Sequence, residues 1–320
     1  MTLGGADAGN YTLSTQPTLS GTITAKDLSV FSAAVTTKVY DGSDAAVVTG
    51  AVLVGNSTTD NDGKYIGTET VTLSGATSGT FASKNVGAGQ TVTTAMTLGG
   101  ADAGNYTLNA QPSLTGTIQA KGLSITSPSI GSKVYNGSAA AGTVTLGTLS
   151  GFVGTETVTT SGTAANYSSA NVGSYSSAIT YVLADGLNGG LASNYSLAAG
   201  SATGVITAKD VTVATGTVSG KVYDGNTGAV VTAGSLSGLV GSESLGTTTA
   251  VGTFADKNVG TRNVAAVYTL TDGANLASNY NLSNPTETLS ATISAKGLSI
   301  TSPSIGSKVY NGSAAAGTVT

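Results

Sequence analysis

Residues 120–145 read AKGLSITSPSIGSKVYNGSAAAGTVT, and residues 295–320 read the same without a difference. An exact copy displaced by 175 residues marks the chain as built from internal repeats. Working outward from it, a Lys-Val-Tyr-(Asp/Asn)-Gly block begins at Lys38, Lys133, Lys221 and Lys308, in steps of 95, 88 and 87 residues. Ala-Lys recurs at Lys26, Lys121, Lys209 and Lys296, and Asn-Tyr-x-Leu at Asn10, Asn105, Asn194 and Asn279. Between them lie Gly-(Thr/Ser)-Glu at Glu69, Glu156 and Glu243, and Asn-Val-Gly at Asn85, Asn171 and Asn258. The order of these markers never changes. One domain type of roughly 88 residues is repeated, and the 175-residue offset makes the larger unit a pair of two variants.

The markers divide the chain into repeats at 27–121, 122–209 and 210–296. Residues 1–26 read as the C-terminal part of a preceding repeat, and 297–320 as the N-terminal part of a following one. Residues 1–26 match 96–121 with five differences, so Met1 aligns with the interior Met96.

The local pattern is β. Thr70-Val71-Thr72-Leu73 and Val211-Thr212-Val213 alternate as half-buried strands do. Asp41-Gly42, Asn136-Gly137, Asp224-Gly225 and Asn311-Gly312 are tight-turn dipeptides, since both residue types tolerate positive φ. No useful helical stripe is present. Short strands punctuated by Ser, Thr and Gly predict an all-β chain of small immunoglobulin-like β-sandwich domains in tandem. A β-solenoid is the competing architecture, but its coils need a shorter period than this one. The segments 23–30, 118–125, 206–213 and 293–300 cross the boundaries with no Pro and at most one Gly. A strand leaving one domain and directly entering the next would make a rod, whereas a flexible linker would read differently.

Composition removes several function classes. Charged residues make up 9% of the chain, and the net charge is −4, so no basic footprint for nucleic acid exists. Cys and His are both absent, which excludes disulfides, Ser-His-Asp triads and thiolate metal sites. No apolar run approaches the roughly 18 residues of a membrane span. The reading is therefore not an enzyme, with no catalytic, cofactor-binding or metal residues assigned and no cofactor expected.

The combination K-V-Y-D-G, G-T-E, K-N-V-G, G-N-Y-T-L and a closing G-T-I-x-A-K resembles the YDG-type repeat domain. That domain, with its MBG-type relatives, occurs in large bacterial surface proteins of the filamentous-haemagglutinin-like kind. The resemblance covers essentially the whole chain. It departs at Asn136 and Asn311, which replace the Asp, and at Tyr167, where Phe81 and Phe254 stand in the other repeats. It implies β-sandwich modules forming the stalk or fibre of a secreted adhesin, extracellular or at the bacterial cell surface. Its partners would be adjacent repeats or neighbouring copies in a fibre, with a host or matrix surface as a further candidate. A carbohydrate- or surface-binding module is the alternative.

The tyrosines Tyr40, Tyr135, Tyr223 and Tyr310, with Tyr106, Tyr195 and Tyr280, read as core residues whose hydroxyls bond to backbone. Lys38/Glu69, Lys133/Glu156 and Lys221/Glu243 recur once per repeat. They read as ion pairs or edge-strand charges. The sharper reading is an intramolecular Lys–Asn or Lys–Asp isopeptide crosslink assisted by the Glu. Thr58–Gly63, with Asp60 and Asp62 ahead of Glu69, partly meets the spacing of a calcium loop but lacks flanking helices. It lies in an insertion of the first repeat. Asp102, Asp185 and Asp272 are weaker candidates for calcium at domain junctions.

Overall fold

The computed structural model describes residues 1–246 and 248–320. Among these residues it is all-β, with helix limited to four single 3₁₀ turns, at Ala8–Asn10, Ala103–Asn105, Ala192–Asn194 and Ala277–Asn279. Each turn delivers the Asn-Tyr marker, so the tyrosine leaves it in extended conformation.

The third repeat shows the plan. Its first strand, Lys209–Val213, is the centre of a three-stranded sheet, antiparallel to Leu236–Ser237 and parallel to Tyr280–Leu282. A second sheet runs in the order Lys221–Val222, Thr286–Ser294, Gly260–Thr269, Thr249–Phe254, Gly228–Ala229. In it the Lys-Val of the Lys-Val-Tyr block lies parallel to the last strand, Lys221 opposite Ile293. Gly260–Thr269 alternates as a one-sided strand must, burying Val264, Ala266 and Tyr268. Phe254, Val264 and Ile293 make one core cluster, and Val213, Ala266 and Tyr268 another.

The first repeat follows the same plan, with a six-stranded sheet running Ala34–Val35, Ala45–Thr49, Ser78–Phe81, Gly87–Thr93, Leu114–Gln119, Lys38–Val39. Pairing closes within each period, and most of it is antiparallel. A solenoid would instead stack successive coils in parallel, so the sandwich is the fold observed.

Packing does not break at the sequence period. The chain gathers into two compact units: residues 1–126, 148–161 and 181–198, and residues 127–147, 162–180 and 199–320. The second repeat contributes to both. In the first unit, the core of Tyr40, Ala46, Val48, Phe81, Val92, Met96, Leu114 and Ile118 runs on into Leu123, Val158 and Tyr195 of the next repeat. The backbone is equally continuous: only Ala120 separates strand Leu114–Gln119 from strand Lys121–Ile125. In the second unit, only Ala208 separates Gly200–Thr207 from Lys209–Val213.

The Asp/Asn-Gly turns take a form that dipeptide composition alone does not fix. Only the glycine has positive φ, at +80° for Gly42, +76° for Gly137 and +81° for Gly225. The preceding side chain instead accepts the backbone N–H two residues on, as Asp41 does from Ser43 at 2.9 Å. The lysine then folds over the turn. Lys38 Nζ donates to the carbonyls of Ser43 and Ala45, and Lys133 Nζ to those of Ser138 and Ala140.

Candidate functional site

The boundary between the first and second repeats and that between the second and third carry the same clasp. Glu156 sits on a turn closed by its own N–H bonding Val153 O at 3.0 Å, and is 8% exposed. Its carboxylate accepts two tyrosine hydroxyls: Tyr40 of the preceding repeat at 2.8 Å and Tyr195 of its own at 2.7 Å. Tyr195 also accepts the backbone N–H of Val153 at 3.1 Å, so the hydroxyl is used as donor and acceptor together. The two rings meet edge to face, centroids 5.6 Å apart.

Beside it, Asn194 is fully buried. Its Oδ1 accepts Val86 N–H at 2.9 Å, and its Nδ2 donates to Asn85 Oδ1 at 3.0 Å, both in the preceding repeat. Gly42 completes the fit: a Cβ there would lie 2.9 Å from Val153 Cγ1. The glycine of the turn therefore also serves close approach of the next repeat.

The second unit repeats this residue for residue. Glu243 accepts Tyr135 at 2.8 Å and Tyr280 at 2.5 Å, and Tyr280 accepts Val240 N–H at 3.0 Å. Asn279, 2% exposed, bonds Val172 N–H and Asn171 Oδ1. A carboxylate accepting two hydroxyls in a desolvated site is a strong, charge-assisted arrangement. One hydroxyl of each pair, from Tyr40 or Tyr135, reaches the carboxylate from more than 100 residues away in the chain.

The tyrosines carry the electrostatic signature. Burial, and then donation to Glu156, pushes the Tyr40 hydroxyl up to about 12; burial and Glu243 do the same for Tyr135. Burial and the same glutamates also raise Tyr195 and Tyr280. A folded value of about 12 above an ordinary 10.0 means that this stabilisation is whole below pH 10 and is lost as pH climbs towards 12. Tyrosinate absorbance at 295 nm should therefore rise in two stages. The later stage should coincide with loss of the near-ultraviolet circular dichroism of the packed rings.

The sequence expected Lys/Glu pairs, and the structure separates them. Lys38, Lys133 and Lys221 are satisfied by their own turns, the first and third with ion pairs to Asp41 and Asp224 at 2.8 Å. Glu69, Glu156 and Glu243 bind tyrosines instead. Among the described residues no Lys–Glu ion pair forms, so the Glu-assisted isopeptide arrangement is not assembled there. The hydroxyls of Tyr40, Tyr135, Tyr106, Tyr195 and Tyr280 likewise go to carboxylates, with a backbone N–H as second partner for the last three; Tyr310 is not a core residue but 91% exposed, and Tyr223 is only half-buried.

In the acidic loop, Asp62 accepts the backbone N–H groups of Thr58 and Lys64 and pairs with Lys26 at 3.2 Å. Those backbone bonds, with Lys26 and Ser57, hold its carboxyl well below the usual range. Asp102, Asp185 and Asp272 each accept a backbone N–H, from Thr70, Ala192 and Ala277, at 2.7 Å. Among the described residues no group of three or more acidic side chains is placed to hold a metal ion. No helix among them is long and apolar enough to cross a membrane.

Compared with known proteins, the chain has no match among the curated ones. A family model for the YDG domain matches residues 24–114, 119–203 and 207–288, most of the chain and one copy per period. The repeating Lys-Val-Tyr-(Asp/Asn)-Gly turn and the clasp it feeds thus belong to a named domain type, and the chain belongs to the YDG domain family as a tandem array of three copies.

Proposed function

We propose that this chain is a structural segment: the stalk or fibre of a secreted bacterial surface adhesin or extracellular matrix protein, placed outside the cell. The observation that carries the reading is the boundary itself. A connector of one residue and a buried Glu–Tyr–Tyr and Asn–Asn clasp join successive repeats, so bending there would strand buried polar groups. Transient inter-domain contacts are usually more polar, with flexible linkers. This boundary favours a module that holds distance and orientation. Its mechanism is mechanical, and no residue is given a catalytic role.

The alternative, a carbohydrate- or surface-binding module, would use exposed aromatics beside carboxylates. Here Tyr40, Tyr106, Tyr135, Tyr195 and Tyr280 are buried, with their hydroxyls turned onto glutamates. Small-angle scattering of the dilute chain tests the proposal. The maximum dimension should far exceed that of a compact 30.9 kDa globule and should grow by a constant step when a repeat is duplicated. A globule-sized particle would overturn it.

A further inference from the structure

The turn after Tyr135 carries Asn136 where the first and third repeats carry Asp41 and Asp224. An asparagine followed by glycine is open to attack on its own side chain, because no Cβ shields the glycine nitrogen. The second repeat holds two such pairs, Asn136-Gly137 and Asn188-Gly189, with both asparagines exposed. Asn188 Nδ2 donates to Thr155 O at 2.9 Å, which ties its amide down. Asn136 uses only its Oδ1, accepting Ser138 N–H at 3.1 Å. Among the described residues neither Asn136 Nδ2 nor Gly137 N–H has a hydrogen-bond partner, so leaving group and nucleophile are both free. Ser138 N–H also points at the oxygen on which charge develops when Cγ is attacked.

The surroundings set what each product would do. Asp41 and Asp224 accept the backbone N–H groups of Ser43 and Asn226 at 2.9 Å and pair with Lys38 and Lys221 at 2.8 Å. Lys133 already lies over its own turn, with Nζ on Ser138 O at 2.7 Å and on Ala140 O at 2.9 Å. An aspartate at 136 therefore finds its cation in place. On the other side, a Cβ on Gly137 would lie 3.3 Å from Val240 Cγ1 and 3.4 Å from Glu243 Oε1, the oxygen that receives Tyr135. A backbone lengthened at this turn has little slack against the clasp.

We propose that Asn136 is a self-modification site, deamidating through a succinimide with Gly137, and that its isoaspartyl product loosens the clasp between the second and third repeats. Gly137 N attacks Asn136 Cγ. The new N–Cγ bond forms as Cγ–Nδ2 breaks, and Nδ2 leaves as ammonia with the proton from Gly137 N. Water then opens the ring, its hydroxyl going to a carbonyl carbon and its proton to the nitrogen lost from that carbon. Opening at the bond to Cγ leaves aspartate on an unchanged backbone. Opening at the backbone carbonyl routes the chain through Cγ as isoaspartate. Either way an amide and water become a carboxylic acid and ammonia, with no change of oxidation state. The first branch makes the Lys–Asp turn that the neighbouring repeats already have. The second inserts a backbone carbon between Tyr135 and Gly137, where Val240 and Glu243 stand close.

Ageing the full chain in mildly alkaline buffer, folded and in parallel in urea, tests this by peptide mapping, which separates Asn136 from the same turn at Asn311. Folding should leave the rate at Asn136 within a few-fold of its rate in urea, while slowing Asn188 by roughly tenfold through its tied amide. Hydrogen exchange reads the second half of the proposal. Protection of the Glu243 N–H, which bonds Val240 O at 2.9 Å, should fall in proportion to the isoaspartate found at 136. Asn136→Asp should keep wild-type protection, because its backbone is unchanged. Asn136→Ser, which can still accept Ser138 N–H but cannot form the succinimide, should age without loss. Folding that protects Asn136 as strongly as Asn188 would overturn the site. Loss at Glu243 that persists in aged Asn136→Ser, or full protection in isoaspartyl chains, would overturn its link to the clasp.

Discussion

Glu156→Ala should loosen the repeat before it as well as its own. Two hydroxyls, of Tyr40 and Tyr195, would lose their shared acceptor inside a desolvated pocket. Each unsatisfied buried polar group costs about 1–3 kcal/mol, so the loss should be about 3 kcal/mol. Hydrogen–deuterium exchange locates it: backbone amides of Ala45–Thr49 and Leu114–Gln119 should lose protection together with those around Val153–Val158. Glu156→Gln keeps a group that can accept from one hydroxyl and donate towards the other, so it should cost about 1 kcal/mol. Tyr40→Phe combined with Glu156→Gln should be non-additive by about 1 kcal/mol, since the two side chains touch. Loss of protection confined to the second repeat would show that the clasp is a neighbourly contact and not a coupling.

The part of this fold legible in the sequence is the part made locally. The Lys-Val-Tyr-(Asp/Asn)-Gly turn forms at all four positions. Even at Lys308, Nζ donates to Ser313 O at 2.7 Å while Tyr310 beside it is 91% exposed. Period, strand alternation and the stiff boundaries are local or repetitive signals of the same kind. The burial of the identical sequence 120–145 and 295–320 is not. Tyr135 is 4% exposed and Tyr310 is 91%, because the first has Glu243 and Tyr280 to receive it.

The missed site follows from this. Glu156 and Tyr40 are 116 residues apart, and nothing near either one names the other. Pairing lysine with glutamate is the economical reading in a chain with so little charge, but backbone carbonyls five to seven residues away meet the lysine's needs first. The one available hint was the invariant order of the markers: a Glu and an Asn-Tyr that recur once per repeat alongside a Tyr and an Asn-Val that recur likewise. A fixed order in tandem repeats permits a partner in the neighbouring copy as readily as in the same one.

The same substitution at equivalent asparagines should separate clasp from context. Asn194→Asp puts a carboxylate at a fully buried site, where Nδ2 had been donating to Asn85 Oδ1. One oxygen can still accept Val86 N–H, but the other faces an acceptor and has no proton to give. An uncompensated buried charge of this kind costs about 3–5 kcal/mol near neutral pH. Burial raises such a carboxyl above its unfolded value of about 4, so the protonated form is the tolerated one. The variant's stability deficit relative to wild type should therefore shrink below pH about 4, where the acid can donate, and grow as pH rises through the folded value. Asn105→Asp alters the same marker where the side chain is exposed, so it should shift stability by less than about 0.5 kcal/mol in the dilute chain at any of these pH values. Urea unfolding of both variants at pH 4 and pH 7 provides the comparison. Equal effects would mean that the asparagine matters for its own turn. A large, pH-dependent loss at 194 alone means that it matters for the repeat before it.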